Sequence, residues 1–371
     1  MKRRNFIKSV GLAGLGLMIT KSCTLPSSKG EATNSSEFKQ WIWSTLGKDD
    51  TIERWKPRFE KMQAHNIDGI LFQVYSGHKL WYPSATLPND RDLLNPLIKL
   101  GKEYGVEVHA WMWTMPNNNP YYIENHPDWY IVNRQGKPAN THPAYVDYYK
   151  FMCLNNPEVQ DFLVKNVREL SDIEGLSGVH LDYIRMPDVI LAEALQPTYD
   201  IVQDKEYPQY DYCYCDICRK KFKEQTGLDS LKDIEEPAES DVWNQFRYDS
   251  VTHLVNNLLS PEIKKAGKLA TAAVFPNWGS VRQEWSQWNL DAYFPMLYQN
   301  FYNEDIDWVR ERLEVEIAAL KNPVPVYGGL FIPSLTPDEL GEAIAKVKET
   351  PAKGYSLFSF GDLKEGHWNK I

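Results

Sequence analysis

The chain alternates short, β-rich apolar runs with amphipathic stretches, and the alternation occurs eight times. The runs are WIWST (41–45), GILFQVY (69–75), VEVHAWMWT (106–114), GVHLDYIR (178–185), KLATAAVFP (268–276), DAYFPMLYQ (291–299), VPVYGGLFI (324–332) and GYSLFSF (354–360). Strands that alternate with helices form parallel sheets, and eight such units are typical of a closed (β/α)8 barrel. We therefore predict an α/β fold, a single TIM barrel over residues 38–371. An open doubly wound sheet is the alternative, but no glycine-rich dinucleotide motif follows the first run.

Two insertions lengthen the chain beyond the roughly 250 residues that such a barrel usually takes. Residues 115–150 follow the third run, and residues 188–240 follow the fourth. Both begin where a strand ends, which is the face on which barrel enzymes carry their active sites. We expect the two insertions to form the side walls of an active site.

The N-terminus, MKRRNFIKSVGLAGLGLMITKSC, has a basic start and an apolar run before Cys23, as export signals do. Its paired arginines are typical of a twin-arginine leader, and its cysteine of a lipid-modified lipoprotein. We predict a signal peptide over residues 1–22, a lipid anchor at Cys23 and a flexible tether over residues 23–37. The protein would be exported and held on a membrane of the cell envelope, in the periplasm or at the cell surface. An ordinary signal peptide cut elsewhere is the alternative.

The charge of the chain argues against one class of partner. The net charge is −9, and it falls to about −14 without the five basic residues of the leader. An acidic protein of this kind is a poor binder of nucleic acid. No sequence motif predicts an organic cofactor.

Asp182 lies at the predicted end of the fourth strand, in GVHLDYIRMP. The two-residue period of a strand puts His180 and Asp182 on one face, and barrel enzymes keep catalytic carboxylates at this rim. Because a neighbouring cation lowers the pKa of a carboxyl group, Arg185 and His180 predict an ionised Asp182. A structural ion pair with either residue is the alternative.

Four motifs, GILFQVYSGHKLWYPS, VEVHAWMW, NNPEVQDFLVKNV and GVHLDYIRMP, occur in an order that resembles the family-ten-like glycosyl hydrolase group of bacterial lipoproteins. The resemblance continues more loosely through AAVFPNWG and DAYFPMLYQ, and so covers residues 38–332. It implies a barrel, a glycan substrate and an acidic site at the end of strand four, and some members act on cell-wall glycans. Many relatives carry a second acid beside this aspartate, where this chain has Tyr183.

Glycosidic cleavage usually needs two carboxyl groups, one protonated and one ionised. With Asp182 as the ionised group, the later strand ends offer four candidates for the other: Glu284, Glu304, Asp305 and Asp362. We predict Glu284, because the neighbouring Trp285 would desolvate it and raise its pKa. A solvated loop residue is the alternative for Glu284, and a helix cap is the alternative for the two acids that follow strand six.

Aromatic and polar residues near the predicted strand ends are candidates for sugar binding, because sugar rings stack on aromatic faces. The predicted substrate-binding residues are Gln73, His109, Trp111, Trp113, His180, Arg185, Trp278, Trp285, Tyr298 and Asn300. A place in the hydrophobic core is the alternative for the aromatic residues, and a buried, hydrogen-bonded histidine is the alternative for His109.

Three cysteines, Cys213, Cys215 and Cys218, crowd into the second insertion, and Cys153 follows the first. The spacing C-x-C-x-x-C is typical of metal sites, so we predict a structural zinc ion that joins the two insertions. The segment CYCDICRKKFKEQTG is also similar to the zinc-binding loop of some barrel β-galactosidases. Two disulfides are the alternative in an exported protein.

Together these features predict an exported, lipid-anchored glycoside hydrolase that uses paired carboxyl groups. One alternative is a carbohydrate-binding lipoprotein on a degenerate glycosidase barrel. Another is a barrel enzyme of a different class, such as a metal-dependent deacetylase. The eight histidines show no cluster that would favour that class.

Overall fold

Eight parallel strands form the centre of the protein, in a computed structural model that describes residues 38–87, 89 and 91–371. The strands are β1 Lys39–Thr45, β2 Gly69–Tyr75, β3 Glu107–Trp113, β4 Gly178–Asp182, β5 Leu269–Val274, β6 Ala292–Pro295, β7 Tyr327–Phe331 and β8 Gly354–Phe358. Their order is β6-β5-β4-β3-β2-β1-β8-β7, so neighbours in sequence are neighbours in the sheet. The predicted (β/α)8 barrel is confirmed. The predicted leader, tether and Cys23 lie outside the described residues.

The barrel closes between β6 and β7 through two isolated parallel bridges, Tyr293 to Val326 and Met296 to Gly329. The backbone N–H of Leu297 donates to the Gly329 carbonyl over 3.0 Å. A Cβ atom at Gly329 would lie 2.7 Å from the Pro295 carbonyl oxygen, so the seam needs a glycine there. The sheet is therefore nearly closed, with its weakest pairing at this seam.

Helices connect the strands and cover the outside of the barrel. They are α1 Ile52–Ala64, α2 Leu94–Tyr104, α3 Pro120–Asn125, α4 Pro157–Ser171, α5 Asp216–Thr226, α6 Asp241–His253, α7 Ser260–Lys265, α8 Asp307–Ala318, α9 Pro337–Lys348 and α10 Glu365–Trp368. Local capping explains where several begin: the Asn156 side chain accepts from the Glu158 N–H, and Thr336 forms a capping box with Glu339. None of the described helices combines the length and apolar character needed to cross a bilayer.

A buried aromatic layer fills the barrel interior below the C-terminal ends of the strands. Trp43 packs edge-on against Trp111 and His180, with ring centroids 4.9 and 4.5 Å apart. Phe294 packs on the same histidine at 5.0 Å. Edge-to-face contacts of this kind are favourable beyond the area that they bury. The layer forms a rigid floor under the upper rim.

The two insertions contact each other over the C-terminal face. The Tyr214 N–H donates to the Val132 carbonyl over 2.8 Å, and the Arg134 N–H donates to the Asp211 carbonyl over 3.0 Å. The Arg247 side chain, on α6, forms a buried ion pair with Asp211. These bonds hold the second insertion on the first and on the barrel.

Candidate active site

A cavity of about 500 Å³ opens at the C-terminal ends of the strands. All eight strands contribute a residue from their last positions or from the turn that follows: Thr45, Gln73, Trp113, Asp182, Phe275, Met296, Phe331 and Phe358. The second insertion supplies one side wall, through residues 188–199. The cavity therefore lies where barrel enzymes bind their substrates.

Asp182 ends β4 and lies in this cavity with only 8% of its surface exposed. Its Oδ2 atom accepts from Trp111 Nε1 over 2.9 Å, and its Oδ1 atom accepts from the Tyr183 backbone N–H over 2.7 Å. The strand stops here because Tyr183 adopts a left-handed backbone with φ +50°. Both carboxyl oxygens are thus fixed by rigid neighbours.

Burial raises the pKa of Asp182 to about 6, although its two hydrogen bonds and the Arg185 charge oppose the change. Arg185 therefore acts in the expected direction, but burial outweighs it, and the prediction of a net lowered pKa was wrong. Arg185 forms an ion pair with Asp188 at 3.1 Å instead. His180 is fully buried, contacts Thr271 Oγ1 at 2.8 Å, and has a pKa well below its usual range because of burial. It is neutral and supplies no charge.

The buried carboxyl group is expected to destabilise the fold as the pH rises from about 4 to 6. Its pKa is 3.8 ordinarily and about 6 when folded, so the folded state binds the proton more tightly than the unfolded state. The bound proton therefore adds about 3 kcal/mol to the free energy of unfolding at a pH below the lower pKa. This contribution is lost as the pH rises past the higher pKa. Thermal unfolding of wild type and Asp182→Asn at several pH values should therefore show the variant gaining relative stability across this window. A difference that is independent of pH would contradict the burial.

Two further carboxyl groups line the cavity, and both come from the second insertion. Asp188 is buried in its ion pair with Arg185 and accepts from the Tyr149 hydroxyl over 3.3 Å. Glu193 is exposed at the start of a 3-10 helix, Glu193–Tyr199. Burial raises the pKa of Tyr302, another cavity residue, and the Glu193 charge adds a smaller contribution in the same direction. Of the three carboxylates in the described cavity lining, Asp182 is held by two hydrogen bonds and Asp188 by an ion pair. Glu193 is the third, and it has no such partner among the described residues.

Glu284 does not line the cavity, in contrast to the sequence prediction. It is half-buried, accepts from the Gln287 side chain over 3.3 Å, and has a pKa raised by burial. The neighbouring Gln283 side chain accepts from the Phe275 N–H over 2.8 Å, and Trp285 Nε1 donates to the Phe275 carbonyl over 3.0 Å. These bonds fold the segment against the end of β5. The other candidate acids also lie outside the cavity lining, and the Asp305 side chain accepts from the Trp308 N–H at the start of α8.

Aromatic rings dominate the cavity walls. Of the predicted sugar-binding residues, the cavity brings together Gln73, Trp111, Trp113, Arg185 and Tyr298. The sequence analysis missed the rings of Tyr148, Tyr149, Tyr183, Tyr199, Phe275, Phe301, Tyr302, Phe331 and Phe358. Trp113 forms one side of the cluster, with ring centroids 4.8 Å from Tyr183 and 5.5 Å from Tyr148.

The remaining predicted sugar-binding residues lie outside the cavity lining. His109 is fully buried in the barrel, 3.5 Å from the Glu107 carboxylate, and His180 belongs to the aromatic layer. Trp285 is buried against the end of β5, and Trp278 packs beside Tyr248 with ring centroids 5.5 Å apart. Asn300 lies, half-buried, in the turn after β6. Each was placed near the rim by its position in the sequence, but its side chain is not part of the cavity lining.

A comparison with protein families matches the part of the chain that carries Asp182. Residues 59–183 match the family model described as Hypothetical glycosyl hydrolase 6. The match runs from the middle of α1 to the residue after β4, roughly a third of the chain. The finer resemblance to the family-ten-like lipoprotein group remains a prediction.

Known proteins that resemble the chain include one curated relative and several solved barrels. The glycosyl hydrolase YngK of Bacillus subtilis (strain 168) is 25% identical over 196 residues, which cover 46% of this chain and 36% of that protein. The PgaB (BpsB) glycoside hydrolase domain from Bordetella bronchiseptica has a TM-score of 0.67 at 12% identity, covering 90% of this chain and 98% of that one. A β-galactosidase from the Antarctic haloarchaeon Halorubrum lacusprofundi has a TM-score of 0.62 at 13% identity, covering 90% and 57%. At such identities, the solved structures show a shared fold.

The four cysteines lie together where the insertions meet. Their sulfur atoms are all within 4.8 Å of one another, and Cys153 Sγ lies 3.5 Å from both Cys215 Sγ and Cys218 Sγ. Four sulfurs about 2.3 Å from a tetrahedral zinc ion are about 3.8 Å apart, whereas a disulfide bond is about 2.05 Å long. The donor set and its spacing therefore fit zinc. Among the described residues, no second group of three or more potential metal ligands is this close.

Proposed function

We propose that this protein is a glycoside hydrolase whose proton donor is Asp182. The observation that carries the proposal is the buried Asp182 carboxyl, with a pKa of about 6, in an aromatic cavity at the C-terminal end of a barrel. A carboxyl group with a raised pKa is still partly protonated near neutral pH, as a general acid must be. The family match over residues 59–183 supports the same reaction class.

The bound glycan is proposed to stack on the aromatic walls, with its glycosidic oxygen at Asp182. Trp111 Nε1 and the Tyr183 N–H hold the carboxyl group in one orientation and stabilise the carboxylate that remains after proton donation. The oxocarbenium-like transition state then needs an ionised carboxylate on the other side, to attack or to activate water. Glu193 fits this role, because it lines the same cavity and has no ion-pair partner among the described residues. The roles thus differ from the sequence prediction, in which Asp182 was the ionised group.

Glu193→Gln is expected to lower kcat by about a hundredfold or more, because it removes the negative charge but keeps the shape of the side chain. Glu284→Gln is the matched control, since Glu284 lies outside the cavity lining, and it should leave kcat unchanged. The measurement is the rate of reducing-end release from a cleaved glycan by each variant. Full activity in the Glu193 variant would assign the ionised role to another group.

We also propose that the protein is exported and anchored to a membrane through a lipid on Cys23. The leader pattern and the cysteine that follows it support this placement. Cys23→Ala should move the protein from the membrane fraction to the soluble fraction, and the leader should remain uncut by the lipoprotein peptidase. Unchanged fractionation would contradict the anchor.

A structural zinc ion held by Cys153, Cys213, Cys215 and Cys218 completes the proposal. Four thiolates close the coordination shell, so the ion would hold the two insertions together and take no part in the reaction. Because Cys153 follows the first insertion and the other three lie in the second, the ion would fix the position of the wall that carries Glu193.

A further inference from the structure

A second cavity, of about 320 Å³, lies beside the first and is walled by the two insertions alone. Its lining comes from residues 133–145 of the first insertion and residues 199–210 of the second. Tyr199 lines both cavities. The Tyr145 hydroxyl, from the second cavity, donates to the carbonyl of Asp188, from the first, over 2.8 Å. The two cavities are therefore neighbours that share a wall.

Three tyrosines form an aromatic platform in the second cavity. The rings of Tyr145 and Tyr210 stack with centroids 4.3 Å apart and planes 6° apart, and Tyr199 lies 6.2 Å from Tyr145. All three are half-buried, so part of each ring remains accessible. Such rigid, partly exposed rings offer flat surfaces for a sugar ring at a low cost in conformational entropy.

The polar groups of the second cavity suit binding more than chemistry. Gln135, Lys137 and His142 are exposed and line it, and together they offer donors and acceptors for hydroxyl groups. Among the residues that the structure describes, no carboxylate lines this cavity, whereas three line the first. The second cavity therefore lacks the acids that glycosidic cleavage requires.

Unusual backbone conformations occur at both cavities. Tyr145 has φ +59° and Tyr183 has φ +50°, one in each lining. A bulky residue in the left-handed region is rare, and it persists where the surroundings hold it, as at functional sites. Each cavity lining thus includes one tyrosine with a left-handed backbone.

We propose that the second cavity is a sugar-binding subsite for another unit of the glycan chain whose bond lies at Asp182. The inference rests on the proposed function for its choice of ligand. It makes the enzyme one that binds several consecutive sugars, and it assigns Tyr210, Gln135 and His142 to substrate binding.

The test compares the affinities of disaccharides and hexasaccharides of β-linked N-acetylglucosamine, glucose and xylose. Calorimetry on the Asp182→Asn protein avoids cleavage during the measurement. In at least one series, the hexasaccharide should bind about tenfold more tightly than the disaccharide. A factor of this size is what one well-formed aromatic contact with its hydrogen bonds contributes to the affinity. Adding Tyr210→Ala should remove this preference, and Tyr210→Phe, which keeps the ring, should retain it.

Two further variants keep the test decisive. A double variant, Gln135→Ala and His142→Ala, replaces two exposed side chains and should therefore fold normally. It should show a weaker preference for the longer glycan chain. Tyr121→Ala is the matched control, because Tyr121 is 58% exposed and lines neither cavity. Equal affinities for short and long chains in every series, or binding of neither, would overturn the subsite. Cleavage without a length preference would refute only the subsite, and a length preference without cleavage by the wild type would refute only the proposed function.

Discussion

Asp182→Asn is expected to lower glycan cleavage by about a hundredfold to ten-thousandfold, the usual contribution of a general acid. Asparagine has the size and shape of the carboxyl group, but its amide N–H is far too weak an acid to protonate the leaving oxygen. Its side-chain oxygen can still accept one of the two bonds that Trp111 Nε1 and the Tyr183 N–H now donate. Binding of the substrate should therefore survive, and the loss should appear in kcat more than in KM.

The matched control for this variant is Asp305→Asn. Asp305 is an exposed acid that follows β6, lies outside the cavity lining and accepts from the Trp308 N–H at the start of α8. Because an asparagine side-chain oxygen can accept the same bond, this control should keep both fold and activity. Activity retained in Asp182→Asn would show that the reaction does not depend on the buried carboxyl group.

Cys215→Ser is expected to lower the free energy of unfolding by more than the roughly 0.5–3 kcal/mol that is typical of single substitutions. The purified protein should contain about one zinc ion per chain, and the variant much less. Removing the metal from wild type with a chelator should cause a similar loss of stability and should leave the variant unchanged. Residues 115–150 and 188–240 should then become the first sites of proteolysis, because the ion would join them.

Cobalt substitution gives a readout that does not depend on activity. Four thiolates around Co²⁺ produce an intense charge-transfer absorption, which should disappear in Cys153→Ser as well as in Cys215→Ser. Purified protein without metal and without titratable thiols would contradict the zinc site and would assign the cysteines to two disulfides.

The fold could be predicted because its signal is local and repeated. Each strand is a short apolar run, and each of the eight runs overlaps one of the strands β1 to β8. The predicted fourth strand ran to Arg185, but β4 ends at Asp182, where the left-handed backbone of Tyr183 turns the chain away. Such a turn depends on the packing around one residue. The periodic pattern of apolar residues carries no information about that packing.

The candidate site could be predicted only in part. Asp182 was correctly placed in the cavity lining because its position follows from its place at a strand end. Glu193, Tyr148, Tyr149 and Tyr199 were missed because they lie in irregular insertions, whose path is set by contacts between segments far apart in sequence. Glu284 was placed in the site because it follows β5, but the hydrogen bonds of Gln283 and Trp285 fold that segment against the end of β5, and Glu284 lies outside the cavity lining.

The pKa of Asp182 shows the same limit. The sequence places Arg185 close by, and a neighbouring cation lowers the pKa of a carboxyl group. In the folded protein, Arg185 instead pairs with Asp188, and burial becomes the largest influence on Asp182. Proximity in sequence therefore predicted the wrong direction, because burial is a property of the whole fold.

The most direct test of the central claim is reducing-end release by the purified wild-type protein from a panel of glycans. The panel would contain peptidoglycan strands, amino-sugar oligomers and plant and host polysaccharides. The account predicts release from at least one of them, at a rate that is lost in Asp182→Asn and kept in Asp305→Asn. Tight binding to one glycan without release from any would contradict it, and would make the protein a carbohydrate-binding barrel.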